Sequence, residues 1–296
     1  MAPTLEFKGI YVALITPFAA DGSVDAAALD KHVNRMIDAG VHGLVPGGST
    51  GEFTALTPQE RQLVIEVVIK AAAGRVPVIA GTGDLTTQGA IDHAVHAAKA
   101  GAAALMVVPP FYEPPNLTQL RDLLKQIHTT SGLPILYYNI PSISGMKLGT
   151  KELADLSEVG VKYLKDTTGD APALTELLLA HSDRITPFNG YDTLTFYGLA
   201  AGAKGSIWGA TNFIPELSVQ LWNALAVEHD LQKAQGLWAR IWPICKWLES
   251  YGYVAAVKTG MELRGWATGG VRKPYTMIED KDKEQLFNIL KVNGVL

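Results

Sequence analysis

Two stretches of this chain carry residue types suited to chemistry: a strand-like run closing on a lysine, Val161-Lys162-Tyr163-Leu164-Lys165, and a hydroxyl-bearing loop, Gly47-Gly48-Ser49-Thr50-Gly51-Glu52. An amine at the carboxyl end of a parallel strand lies where α/β folds keep their sites. Burial disfavours its charged form, so such a lysine can shed its proton near neutral pH and attack a ketone. Alternation along a strand predicts Val161, Tyr163 and Lys165 on one face and Lys162 and Leu164 on the other. The competing interpretation is a surface lysine at a polar strand end. In the loop, glycines let the backbone approach a ligand, and two hydroxyls beside N–H groups suit a carboxylate. A glycine-rich turn with capping hydroxyls is the plainer alternative.

Other candidates gather at strand ends. Tyr137 and Tyr138 point to opposite faces, so one can look into a barrel and pass protons while the other packs on helices. Pro109-Pro110-Phe111-Tyr112 is a stiff aromatic turn, suited to core or subunit contact, and Asp192 in Gly190-Tyr191-Asp192 reads first as a helix N-cap. Gly81-Thr82-Gly83 lacks the third glycine of a dinucleotide fingerprint. His93 and His96 are expected to face solvent, opposite a buried stripe of Ile91, Ala94, Val95 and Ala98, and no metal site is assigned. Trp238, Trp242 and Trp247 suit core or subunit packing.

Strand-like and helix-like segments alternate to position these groups. Strands are expected at Ile10–Ile15, Gly43–Pro46, Val76–Ala80, Ala104–Val108, Pro134–Tyr138, Val161–Lys165, Ile185–Phe188 and Gly205–Trp208. Helices are expected between them over Asp25–Ala39, from a capping box at Thr57-Pro58-Gln59-Glu60, and over Thr87–Ala100, Leu117–Thr130, Thr150–Leu156, Ala171–Ala180 and Asp192–Ala201. Eight such units predict an α/β fold, a (β/α)8 TIM barrel over residues 1–225. Residues 226–296 read as a small C-terminal helical region, with helices at Gln232–Tyr251 and Lys281–Val292.

Composition excludes several classes. With 296 residues, 48% hydrophobic, the chain can bury a large core. The net charge of −4, without clustered Lys or Arg, leaves no footprint for nucleic acid. A single cysteine, Cys245, excludes an internal disulfide and fits a cytoplasmic setting. Met1–Gly9 has no secretory-signal layout, and Ala102–Pro110, the best apolar run, is too short to span a membrane.

Gly48-Ser49-Thr50-Gly51-Glu52, Tyr138-Asn139-Ile140-Pro141 and Lys165-Asp166-Thr167-Thr168-Gly169 together resemble the dihydrodipicolinate synthase/N-acetylneuraminate lyase family. Ala13-Leu14-Ile15-Thr16-Pro17-Phe18 and Gly190-Tyr191-Asp192 match too, and the likeness runs collinearly through nearly the whole chain. The resemblance implies a class I lyase that handles pyruvate as a covalent imine on lysine, with no other cofactor, commonly as a homotetramer built as a dimer of dimers. It implies that Lys165 forms the imine, that Tyr138 shuttles protons and that Ser49 and Thr50 bind the keto acid carboxylate. Ser49 would link Tyr138 to Tyr112, which in the synthases completes a relay in the neighbouring subunit's site. Gly48, Thr167, Gly190 and Ile207 would lie around the substrate, and Asp192 would meet one of its hydroxyls.

Departures from the family pattern narrow the substrate. Ile143 stands where the synthases are expected to carry an arginine for the second substrate's carboxylate, and an aliphatic group makes no bidentate contact. Thr193 and Gly209, the latter beside Trp208, replace a glutamate and a serine expected in sialic acid lyases. The expected activity is therefore cleavage or formation of a short 2-keto acid, from pyruvate and an aldehyde. Dehydration of a 2-keto-3-deoxy sugar acid comes next, dihydrodipicolinate synthesis third, and a catalytically silent keto-acid-binding barrel is the non-enzymatic alternative.

Overall fold

The computed structural model describes residues 6–296, so residues 1–5 of the Met1–Gly9 stretch lie outside the described residues. Eight strands run parallel: β1 (Gly9–Ala13), β2 (Gly43–Val45), β3 (Ile79–Gly81), β4 (Ala104–Val107), β5 (Ile135–Asn139), β6 (Val161–Asp166), β7 (Thr186–Asn189) and β8 (Gly205–Trp208). Their order is β2-β1-β8-β7-β6-β5-β4-β3, and a bridge between Leu44 and Val78 closes the ring. This is the (β/α)8 barrel expected from the sequence. The largest boundary shift is at β3, which starts at Ile79 rather than Val76; Pro77 has no N–H to give a ladder.

Helix signals in the sequence act locally as they should. Asp25 caps α1 (Ala26–Asp38) by accepting from the Ala28 N–H, and Thr57 and Glu60 form the capping box of α2 (Pro58–Ala72). Next come α3 (Thr87–Ala100), stopped by Gly101 at φ 102°, α4 (Leu117–Ser131), α5 (Pro141–Ser144) and α6 (Thr150–Asp155). They are followed by α7 (Ala171–Ala180), α8 (Thr195–Ala200), α9 (Pro215–Trp222), α10 (Leu231–Leu248), α11 (Tyr253–Leu263) and α12 (Asp280–Val292). The expected helix from Asp192 is a 3₁₀ turn, Asp192–Leu194, leading into α8, and Tyr191 rather than Asp192 occupies the N-cap position.

Two shells of apolar packing surround the strands. Inside the barrel, Tyr11, Met106, Leu136, Tyr138, Tyr163, Phe188 and Ile207 share one cluster. Between strands and helices, Leu105, Ile135, Tyr137, Val161 and Leu164 belong to another. Val161 therefore does not share a face with Tyr163 and Lys165 as simple alternation predicts. The pairing explains why: Ile135 lies opposite Val161 and Leu136 opposite Tyr163, so Lys162 is an extra residue with no partner on β5. Such a bulge inverts the facing of everything after it. Val161 and Leu164 point out, while Tyr163 points in.

His93 is also corrected. It is buried with Ala90, Ala94 and Ala97, and its Nε2 lies 3.8 Å from Asp84, which also pairs with Arg61 at 3.3 Å. Burial and the neighbouring Arg61 hold its pKa down to about 4. The partly exposed His96 meets Glu66 at 2.8 Å. An ion pair on the inner flank had displaced the apolar stripe, which periodicity alone does not reveal.

After the barrel, α10, α11 and α12 pack on its outside through Leu237, Ile241, Ile244, Ala256, Met261 and Leu286, against Ile10, Trp208, Phe213 and Leu221. Trp247 is buried there and Trp238 stacks on Phe196 at 6.0 Å, while Trp242 stays exposed. The sequence did not announce α11, because it is buried from Ala255 through Met261 and so shows no amphipathic period. Among the described residues, no helix is long and apolar enough to cross a membrane.

Leu164 is fully buried whereas Lys162 is exposed. Leu164→Ala is expected to lower the unfolding free energy by about 2–5 kcal/mol. Lys162→Ala should change it by less than about 0.5 kcal/mol. Urea denaturation of the two variants checks the assignment of faces.

Candidate active site

The amine is built into the barrel from three sides. Lys165 pairs in register with Tyr138 on β5 and Phe188 on β7, and only 6% of its surface is exposed. Its Nζ lies 4.0 Å from the centroid of the Tyr138 ring, on the attractive face of the π system. Asp166, the next residue, accepts hydrogen bonds of 2.8 Å from Asn139 Nδ2 and from Thr168 Oγ1, tying the ends of β5 and β6 together. Burial raises the Asp166 pKa, and these two hydrogen bonds pull it back. On the β7 side, Gly190 is required: a Cβ there would lie 2.7 Å from Lys165 Cγ and 2.4 Å from Thr167 Oγ1. That Thr167 hydroxyl is buried and has no hydrogen-bonding partner among the described residues.

Opposite the amine stands the Gly47–Glu52 loop. Ser49–Gly51 form one 3₁₀ turn, with Thr50 buried and Ser49 exposed. Gly48, Ser49, Phe53, Met106 and Tyr138 line one narrow cleft, so the loop and the phenol face the same space. The turn ends at Glu52, whose backbone takes the left-handed conformation at φ 56°. For a non-glycine residue this costs on the order of 1 kcal/mol or more and needs support. The support comes from α11 and the segment that follows it. Lys258 on α11, with no solvent exposure, meets the Glu52 carboxylate at 2.6 Å, and the Arg272 N–H donates to Glu52 at 2.9 Å. The Arg272 guanidinium reaches Glu60 at 2.8 Å, and this contact drops the Glu60 pKa to about 2. Burial lowers the Lys258 pKa, while Glu52 opposes the shift.

On the β7–β8 side a second partnership forms. Asp192 is buried, and its Oδ2 accepts a 2.7 Å hydrogen bond from the Tyr253 hydroxyl at the start of α11. Burial raises the Asp192 pKa to about 7 and the Glu249 charge adds to this, whereas Tyr253, the nearby Trp208 indole and Lys165 pull it down. The Tyr253 phenol is itself pushed up by burial and then by Asp192. Thr193 turns away, giving its N–H and hydroxyl to Glu249 at 3.0 and 3.1 Å.

The structure thus brings Lys165, Tyr138, Thr167 and Gly190 together, with Asp192 two residues beyond, and Gly48 and Ser49 share a cleft with Tyr138; Thr50 is buried within its turn and Ile207 in the barrel interior. Tyr112 is not brought there: it is 84% exposed, while its neighbour Phe111 packs edge-on against Phe53. Ile143 is 56% exposed on α5. Sequence reasoning missed Tyr253 and Lys258, whose helix gave no periodic signal, and Arg272 in the segment between α11 and α12; a lysine within an otherwise apolar run was the one available clue. Among the described residues, no cluster of His, Cys, Asp and Glu able to hold a metal occurs.

Two measurements probe these contacts. Lys258→Met leaves the buried Glu52 carboxylate without its cation, so the unfolding free energy is expected to fall by about 3–5 kcal/mol, and Glu52→Leu added to it should recover part of the loss. Between the carboxyl's ordinary 3.8 and about 7, the folded chain holds more protons at Asp192 than the unfolded chain does. Stability carried by this group is therefore greatest at low pH and falls as pH rises through that window. Asp192→Asn should remove that slope from a pH series of denaturation curves.

Residues 6–293 match the model of the Dihydrodipicolinate synthetase family. A DapA-like lyase of Halobacterium salinarum is 36% identical over 293 residues, 99% of this chain and 96% of that protein. The 4-hydroxy-tetrahydrodipicolinate synthase of Methanocaldococcus jannaschii is 34% identical, over 98% of this chain and all of that protein. Among solved structures, the prophage protein YagE of E. coli K12, in complex with pyruvate, superposes with a TM-score of 0.93 at 29% identity, over 99% of this chain and 100% of that one. A match of this extent, on a barrel whose rim carries a sheltered lysine beside a tyrosine, makes the chain a member of the dihydrodipicolinate synthetase family of class I, pyruvate-dependent, Schiff-base lyases.

Proposed function

We propose that the protein cleaves or forms a short 2-keto acid, a 2-keto-3-deoxy or 4-hydroxy-2-keto acid, through a pyruvate enamine on Lys165. The observation that carries this is the buried Lys165 amine seated 4.0 Å over the Tyr138 ring. The Lys165 amine attacks C2, the carbonyl oxygen leaves as water, and a protonated imine forms. The C3–C4 bond then breaks, its electron pair entering the imine to give an enamine, while C4 becomes an aldehyde as its hydroxyl loses a proton. Protonation at C3 and hydrolysis release pyruvate and free the lysine. Tyr138 moves protons to and from the C2 oxygen, and Ser49 and Thr50 orient the carboxylate.

Gly48, Thr167, Gly190 and Ile207 surround the bound acid, and Asp192 serves one hydroxyl. The pyruvate complex of YagE supports pyruvate as a substrate. Tyr112, being 84% exposed, is free to reach the site of a neighbouring copy, which supports a homotetramer whose subunits complete one another's relay. The lone, buried Cys245 supports a cytoplasmic setting.

The exposed Ile143 offers no cation to a second carboxylate, which argues against the synthase activity that several relatives' names carry. Dehydration is the second reading: Asp192 is buried against the Tyr253 hydroxyl, and burial raises its carboxyl pKa to about 7, so it can hold a proton for a departing hydroxyl.

Pyruvate with borohydride, followed by peptide mapping, is expected to leave a reduced adduct on Lys165. Lys165→Ala should abolish turnover, and Tyr138→Phe should slow it by about 10²-fold or more without unfolding. An adduct elsewhere, or none, would remove the assignment and leave a silent binding barrel. Pyruvate as product marks the lyase, a dehydrated keto acid marks the dehydratase, and condensation with aspartate semialdehyde marks the synthase.

A further inference from the structure

A keto acid joined to Lys165 through C2, with its carboxylate on the Ser49–Thr50 side, must send the rest of its chain toward β7 and β8. There the space is already claimed. A Cβ built on Gly209 would lie 2.4 Å from the Tyr253 hydroxyl oxygen, 2.6 Å from its Cε1 and 2.9 Å from its Cζ. The phenol therefore occupies the place where a side chain at the end of β8 would stand. Its hydroxyl is held there by Asp192 at 2.7 Å, and Gly209 is the close approach that admits it. Gly190, two residues before Asp192, lies directly against the Lys165 stem, where an added Cβ would meet Cγ at 2.7 Å, so the Asp192–Tyr253 pair sits beside the Lys165 strand end rather than on a remote surface. Thr193, next to Asp192 in sequence, gives its N–H and hydroxyl to Glu249 instead.

We propose that Tyr253, delivered by α11 and seated over Gly209, is the specificity-determining residue that sets the length of 2-keto acid this site accepts. Its ring closes the β8 side of the mouth to long chains, and its hydroxyl with Asp192 leaves one polar position for a single substrate hydroxyl. The inference rests on the imine reading above and goes beyond it by assigning the length limit to one side chain.

Borohydride trapping on Lys165 with a ladder of straight-chain 2-keto acids, from pyruvate to 2-oxooctanoate, tests it without knowledge of the natural aldehyde. The wild type should trap pyruvate and lose adduct steeply beyond a limiting length, by about tenfold or more per added methylene once the pocket is full. Tyr253→Ala should move that limit to longer acids, and Tyr253→Phe, which keeps the ring, should not. Gly209→Ala, which pushes the phenol into the mouth, should move the limit to shorter acids and stands as the independent arm if Tyr253→Ala does not fold. A limit that stays in place in Tyr253→Ala or in Gly209→Ala, while pyruvate still forms its adduct, overturns the length assignment alone. Absence of any pyruvate adduct in the wild type instead overturns the imine reading.

Discussion

One extra residue in β6 decides which way the Lys165 amine faces. Val161 packs among the outer helices, and with strict alternation Tyr163 and Lys165 would follow it outward. The unpaired Lys162 inverts the phase, so that Tyr163 joins the barrel interior and Lys165 comes to lie over Tyr138. The bulged residue is itself a solvated lysine, which leaves the extra position without a buried polar group to satisfy. Everything at the rim follows from this phase: Asp166 then points toward Asn139 and Thr168, and Gly190 must lack a side chain because the Lys165 stem fills its place.

The site is also only half a barrel product. Strand ends supply the amine, the phenol and the orphan Thr167 hydroxyl, but the C-terminal helices fix the other wall. Lys258 and Arg272 converge on Glu52, and both cations lie over the Phe18 ring, so the left-handed turn that ends the hydroxyl loop is clamped by charge and aromatic contact together. Buried pairs of this kind add little net stability compared with apolar packing, yet they specify one arrangement because a broken pair is so unfavourable. Tyr253, five residues before Lys258 on the same helix, closes the opposite side through Asp192. One helix therefore braces both the Glu52 end of the hydroxyl loop and the buried Asp192 carboxylate.

The barrel was legible because its signals are local. Capping at Asp25, Thr57 and Asn116, glycine stops such as Gly101, and eight apolar runs each report on a few neighbouring residues. Lys165, Tyr138 and the Ser49–Thr50 loop were legible because strand ends gather at one rim whatever the details of packing. What stayed hidden was long-range. The bulge at Lys162 depends on register with β5, the burial of His93 on Asp84 and Arg61, and the partner of Asp192 on a tyrosine at position 253 in a helix buried from Ala255 through Met261. Asp192 read locally as a cap, and only the folded chain shows that it binds a phenol instead.

The link between Arg272 and Glu60 spans 212 residues of chain. During synthesis the early strands emerge long before α11 and the Arg272 segment, and non-local contacts must wait for their partners. The hydroxyl loop thus reaches its final shape only after the ribosome has released nearly the whole polypeptide. A nascent or C-terminally clipped chain could form much of the sheet and still be unable to hold a substrate, which separates acquiring the scaffold from acquiring competence.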